Sequence, residues 1–89
     1  MIRIFVRHEV SDFTTWRRHY DGFDAERRKM GVRGDAVYLG AENRNDVTVT
    51  HDFDTLQAAQ AFTSSPRLRE VMTTAGVVGK PTIWFTSQA

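Results

Sequence analysis

At 89 residues the chain has room for a single domain, residues 1–89, and its formal charge of +1 comes from 12 basic and 11 acidic side chains. So even a balance argues against a protein built to sit on phosphate backbones or lipid headgroups. The absence of cysteine excludes disulfides, thiolate metal sites and redox pairs, and a core this small, with no staple, makes self-association the expected remedy.

Residues 2–8 alternate, with Ile2, Ile4 and Val6 on one side and Arg3, Phe5 and Arg7 on the other, which is the pattern of a strand. The opening segment is too short and too charged for a secretion leader or a membrane span. No membrane partner is expected, and the cytoplasm is the expected location. Ser11 or Asp12 then offers an N-cap oxygen. Phe13, Trp16, Tyr20 and Phe23 recur every three or four residues, predicting a helix that runs to Met30 and is closed by Gly31. Arginines cluster on this helix as Arg17-Arg18 and Arg27-Arg28-Lys29, but Asp21, Asp24 and Glu26 lie among them. That mixture reads as a solvated, self-paired face and not as a nucleic-acid surface.

A second strand is predicted from Asp35 to Ala41, and Asn43-Arg44-Asn45-Asp46 supplies turn chemistry. A third strand follows, with Val47, Val49 and His51 on one face, completing a hairpin. Asp54 is expected to cap a helix carrying Leu56, Ala59 and Phe62. Ser65 and Pro66 open another, carrying Leu68, Val71, Met72 and Ala75 and ending at Gly76. After a loop over 77–81, Thr82 to Thr86 forms the last strand.

The order is β-α-β-β-α(α)-β, an α+β, ferredoxin-like arrangement with a four-stranded antiparallel sheet in the order 4-1-3-2 and helices on one face. The covered face takes Ile2, Ile4, Val6, Val37, Leu39, Val47, Val49, Ile83 and Phe85. Phe5, Tyr38 and Trp84 then fall together on the uncovered face, among arginines and threonines. A contiguous exposed aromatic patch of this kind predicts a homodimer, its two sheets facing each other.

The run Val6-Arg7-His8-Glu9-Val10-Ser11-Asp12-Phe13-Thr14-Thr15-Trp16 resembles the opening of small dimeric α/β-barrel proteins, the superfamily of the antibiotic biosynthesis monooxygenases. The stretches from Phe53 to Phe62, Ser65 to Glu70 and Ala75 to Gly79 fit the same picture. The resemblance implies a dimeric α/β barrel. It also implies a cofactor-independent oxygenase-like or cyclase-like activity on a small aromatic or polyketide-type substrate, with no cofactor. The superfamily also contains many proteins of no known activity, so a non-catalytic dimeric ligand-binding or accessory protein is the alternative. The haem-degrading branch fits poorly. Its pattern has asparagine in the first strand and a histidine on a later helix, whereas asparagine occurs here only at 43 and 45, and no histidine follows Asp52.

His51 shares the parity of Val47 and Val49 and is expected beneath the helices near Trp16 and Tyr20. There it is either a general base, with a pKa lowered by burial, or a core histidine bonded to backbone. Tyr20 is its expected hydrogen-bond partner and Trp16 a stacking wall, although aromatic residues at helical spacing also serve simply as core. His19, at the edge of the stripe, either lines a pocket mouth or snorkels. Arg27 follows Tyr20 by seven residues and falls inside the apolar stripe. Either its stem snorkels at the helix end, or its guanidinium meets a carboxylate, a phenolate or the partner subunit. His8 lies on the face of His51 but on the order of 13 Å along the sheet, so it is read as a strand-end cap and no shared metal is expected.

Overall fold

A computed structural model describes all residues, 1–89. The chain runs β1 (Ile2–Val10), α1 (Phe13–Gly22), α2 (Asp24–Lys29), β2 (Gly34–Gly40), β3 (Asn43–Phe53), α3 (Leu56–Thr63), α4 (Pro66–Thr74) and β4 (Val77–Ser87). The strands lie in the order β2-β3-β1-β4, every neighbouring pair antiparallel. This is the expected ferredoxin-like α+β sheet. Ile4, Val6, Val10, Val47, Val49 and Phe53 project from one face of it into the core, against Trp16, Tyr20, Phe23, Phe62 and Leu68 from the helices.

Local chemistry sets the boundaries. Asp12 caps α1, its carboxylate accepting from the Thr15 N–H at 2.9 Å. The helix expected to reach Met30 breaks at Phe23, which leaves helical geometry (φ −92°, ψ 0°) and donates its N–H to both His19 and Tyr20 carbonyls. Gly22 makes that break cheap, and the offset keeps Phe23 and Arg27 both turned inward. Thr55, not Asp54, caps α3, because its hydroxyl reaches the Ala58 N–H while Asp54 pairs with Arg33. Ser65 caps α4 with Pro66 in its first turn, as expected.

Two loops differ from expectation. The β2–β3 turn falls on Ala41-Glu42, and Asn43 to Asp46 already belong to β3. Leu39 pairs with Val47 but Gly40 with Asn43, so the turn-forming residues are absorbed in an irregular stretch of ladder. The expected 77–81 loop is likewise strand. Gly79, at φ 74°, and a shift in register opposite Arg7 and Glu9 let β4 bulge and still pair with β1 before and after the bulge.

The uncovered face carries Tyr38 and Trp84, 57% and 42% exposed, with Phe5 stacked on Trp84 at 5.2 Å. Its arginines are held within the sheet, Arg3 by Asp52 and Arg7 by Asp46, both through paired hydrogen bonds. Phe85, expected beneath the helices, is 41% exposed. It has the right parity, opposite Ile4. However, β4 is an edge strand, with no neighbouring strand beyond it.

Candidate functional site

Between sheet and helices lies a small cavity of about 50 Å³, walled on the sheet side by Val6, His8, Val49 and His51. The helices close it with Trp16, Tyr20, Phe23 and Arg27 on one side and Phe62, Leu68, Val71, Met72 and Ala75 on the other. A space of this size holds a few waters at most. Rings run along it in sequence. His8 lies 5.7 Å from Trp16, Trp16 stacks on Tyr20 at 4.8 Å, and Tyr20 lies 6.2 Å from His51, which meets the edge of Phe62 at 5.1 Å.

His51 is buried, and its Nδ1 lies 2.7 Å from the Thr50 carbonyl oxygen. A carbonyl only accepts, so Nδ1 carries the proton and Nε2 keeps a lone pair. No group of the chain hydrogen-bonds to that Nε2. Burial lowers the pKa of His51 below the usual histidine value. The bond to Thr50 opposes the shift, and the charge on Arg27 adds to it. The ring is therefore neutral at physiological pH.

Tyr20 and Arg27 are more committed than their positions on the helix suggest. The Tyr20 hydroxyl donates to Asp35 Oδ2 at 2.5 Å, and burial together with that bond raises its pKa above the tyrosine range. With its proton engaged, the phenol oxygen can only accept, and its ring forms the cavity wall. Arg27 is 2% exposed. Its guanidinium stacks 3.7 Å from the centre of the Tyr20 ring, donates to the Tyr20 carbonyl and to Asp24, and lies 3.9 Å from Asp35. Only Nε is without a partner. The inward arginine thus meets a phenol ring and two carboxylates of its own chain.

Of the other two histidines, only His8 lines the cavity. His19 is half-buried, its Nδ1 near the Thr15 carbonyl, and it faces a surface groove beside Phe23, Arg67 and Val71, outside the cavity. His8 caps nothing. Strand β1 continues to Val10, so His8 sits within it, opposite Val47, 6% exposed, with both ring nitrogens unpartnered. Leaving such a group unsatisfied costs about 1–3 kcal/mol. Burial, then repulsion from His51, pushes its pKa down to about 4. No three histidine or carboxylate side chains converge as a metal site would require.

Neither a protein-family model nor any curated protein matches the sequence. Solved structures do. A Bordetella bronchiseptica protein provisionally described as an antibiotic biosynthesis monooxygenase superposes with a TM-score of 0.82 at 15% identity, over 99% of this chain and 96% of that one. SnoaB, a cofactor-independent oxygenase from Streptomyces nogalater, gives 0.74 at 11% identity, covering 99% and 94%. The monooxygenase from the ActVA-Orf6 gene of Streptomyces coelicolor, solved with nanaomycin D, gives 0.69 at 15%, covering 99% and 87%.

The chain has the fold of these three structures.

On that fold, His51, Tyr20, Trp16 and Arg27 meet at one cavity, and His19 lies outside it in a groove that shares Phe23 and Val71 with it. The sequence put His8 on the covered face but read it as a strand-end cap, and it passed over Asp35. The parity of Asp35 carried a signal, since it continues the series Val37, Leu39 and so sits on the covered face. A carboxylate on an apolar strand face calls for a partner. Here that partner is Tyr20. No helix of the chain is long and apolar enough to cross a membrane.

Proposed function

We propose that this protein is an enzyme of the cofactor-independent monooxygenase or cyclase kind, acting on a small aromatic or polyketide-type substrate between sheet and helices. The observation that carries the proposal is the free Nε2 of His51, oriented by the Nδ1 bond to Thr50 and set among Trp16, Tyr20 and Phe62. A neutral imidazole in that position takes a proton from a substrate hydroxyl or acidic C–H. The anion that remains either passes electrons to dioxygen, one oxygen atom staying on the ring as a carbonyl and the other leaving as water, or closes a ring by adding to a carbonyl of the same molecule, whose oxygen takes up the proton. Trp16 and Tyr20 form the stacking wall. Arg27 favours the anion as a fixed nearby charge, since its fork is already bonded. Substrate entry requires the cavity to widen along α4, where Val71 and Met72 are only half-buried and the methionine is pliable. The fold shared with a cofactor-independent oxygenase and with a ligand-bound monooxygenase supports this reading.

The test is oxygen uptake with a hydroxylated anthrone. The wild-type chain is expected to consume oxygen and convert the probe, and His51→Ala to lose on the order of a hundredfold in rate. Turnover untouched by that change removes His51 as the base.

One observation favours a second reading, a non-catalytic ligand-binding protein. His51 has no carboxylate to share its proton, because Asp35 is taken by Tyr20 and Arg27. On that reading, aromatic ligands raise the melting temperature and are recovered unchanged. In either case we infer a homodimer, a second copy covering Phe5, Tyr38 and Trp84.

A further inference from the structure

We propose that His8 is a second hydrogen-bonding anchor of the cavity, holding a hydroxyl or carbonyl oxygen at the end of a bound ring system remote from His51. The inference rests on the reading of the cavity as an aromatic ligand site and adds a requirement on the ligand, a neutral oxygen substituent at each end.

Three observations converge on His8. It is 6% exposed, yet neither Nδ1 nor Nε2 meets any group of the chain. Buried polar atoms are rarely left so, and an orphaned pair beside a cavity marks a place where something else supplies the bond. Its position is fixed, because it lies opposite Val47 in the ladder and beside Trp16, whose ring is 5.7 Å away. Finally, it shares a sheet face with His51, which pairs with Ile4 four residues along β1. The two imidazoles thus line one cavity from the same sheet face, four positions apart along the ladder, with Trp16 and Tyr20 among its helix-side walls.

The chemistry of His8 selects the oxygen it accepts. Neutral at physiological pH, the ring offers one N–H and one lone pair, which match a hydroxyl or a carbonyl and give no charge to neutralise a carboxylate. Arg27 offers a carboxylate at His8 no hydrogen bond, since its terminal nitrogens are bonded to Tyr20 and Asp24. A flat ring system with oxygens at both ends satisfies His8 and His51 together. One with a single oxygen leaves one imidazole unpartnered.

The experiment compares two probes, 2-naphthol and 2,6-dihydroxynaphthalene, by calorimetric titration of the wild-type chain, His8→Phe and His8→Gln. The wild type is expected to prefer the dihydroxy probe roughly tenfold, the effect of satisfying one buried hydrogen-bonding group. His8→Phe keeps a ring of similar shape and is expected to bind 2-naphthol as the wild type does while losing the preference. His8→Gln, which retains a donor and an acceptor, restores it in part. A preference that persists in His8→Phe, or is absent from the wild type, overturns the role of His8 while the ligand site stands. Failure of both probes to bind the wild type overturns the ligand-site reading, and this proposal with it.

Discussion

The Tyr20 phenol donates to Asp35 across 2.5 Å and so ties the last turn of α1 to the edge strand β2. Arg27 locks the pair from the other side, stacking on the phenol ring and lying near the same carboxylate. Tyr20 and Arg27 thus form a cavity wall whose hydroxyl and terminal nitrogens are engaged, and they leave His51 beside them with an uncommitted lone pair.

That wall gives the fold an alkaline weakness. Burial, and then the bond to Asp35, hold the Tyr20 proton beyond its ordinary value of 10.0, while the unfolded chain releases it near that value. The raised native pKa stabilises the fold fully below about pH 10 and is lost as the pH climbs toward the folded value. Urea denaturation between about pH 9 and 11 is expected to show stability falling in the wild type. Tyr20→Phe has no proton to lose and is expected to fall less steeply, from a neutral-pH stability lower by about 1 kcal/mol. Parallel curves for the two proteins reject this account.

Alternation in Ile2-Ile4-Val6 and Val47-Val49-His51, with the three-and-four spacing of Trp16, Tyr20 and Phe23, made the sheet order and most of the cavity wall legible before any coordinates. These patterns follow from which face of an element is buried, and burial is what hydrophobic periodicity records. Partner choice is another matter. Asp35 reaches Tyr20 because β2 pairs with β3 in a register that sets Asp35 opposite His51, a relation between residues sixteen apart that no local pattern encodes. The Asn43–Asp46 stretch misled for a related reason. Its turn chemistry is real, with Asn43 Oδ1 accepting from the Asn45 N–H at 3.0 Å, but the ladder places the reversal on Ala41 and Glu42.

The histidines give the fold an acid weakness of the opposite sign. His8 is pushed down from 6.5 to about 4 by burial and then by His51, and burial also lowers His51. Below the unfolded value the denatured chain takes up protons that the native chain refuses. Stability is therefore complete above about pH 6.5 and is lost as the pH falls toward 4. For His8 alone the loss by about pH 4.5 amounts to about 2–3 kcal/mol. His8→Phe is expected to remove that share of the slope, read from urea midpoints at neutral and acidic pH. If the variant loses as much stability on acidification as the wild type, His8 is not the group responsible.

Self-association is the prediction on which the completed barrel depends. The helices lie on one side of the sheet, and the other side presents Tyr38 and Trp84 to solvent with Phe5 stacked beneath the indole. Arg3 and Arg7 add no free charge there, because Asp52 and Asp46 already hold them, which lowers the cost of covering the face with a second copy. At micromolar concentration the wild type is expected to sediment at twice its 10.2 kDa subunit mass. Trp84→Glu combined with Tyr38→Glu sets four like charges into a facing pair of sheets and is expected to yield single subunits with the circular dichroism of the parent. A wild type that sediments as one subunit leaves those rings in water and removes the dimer. A double variant that stays paired moves the contact to another surface, for which the exposed Phe85 edge of β4 is the next place to substitute.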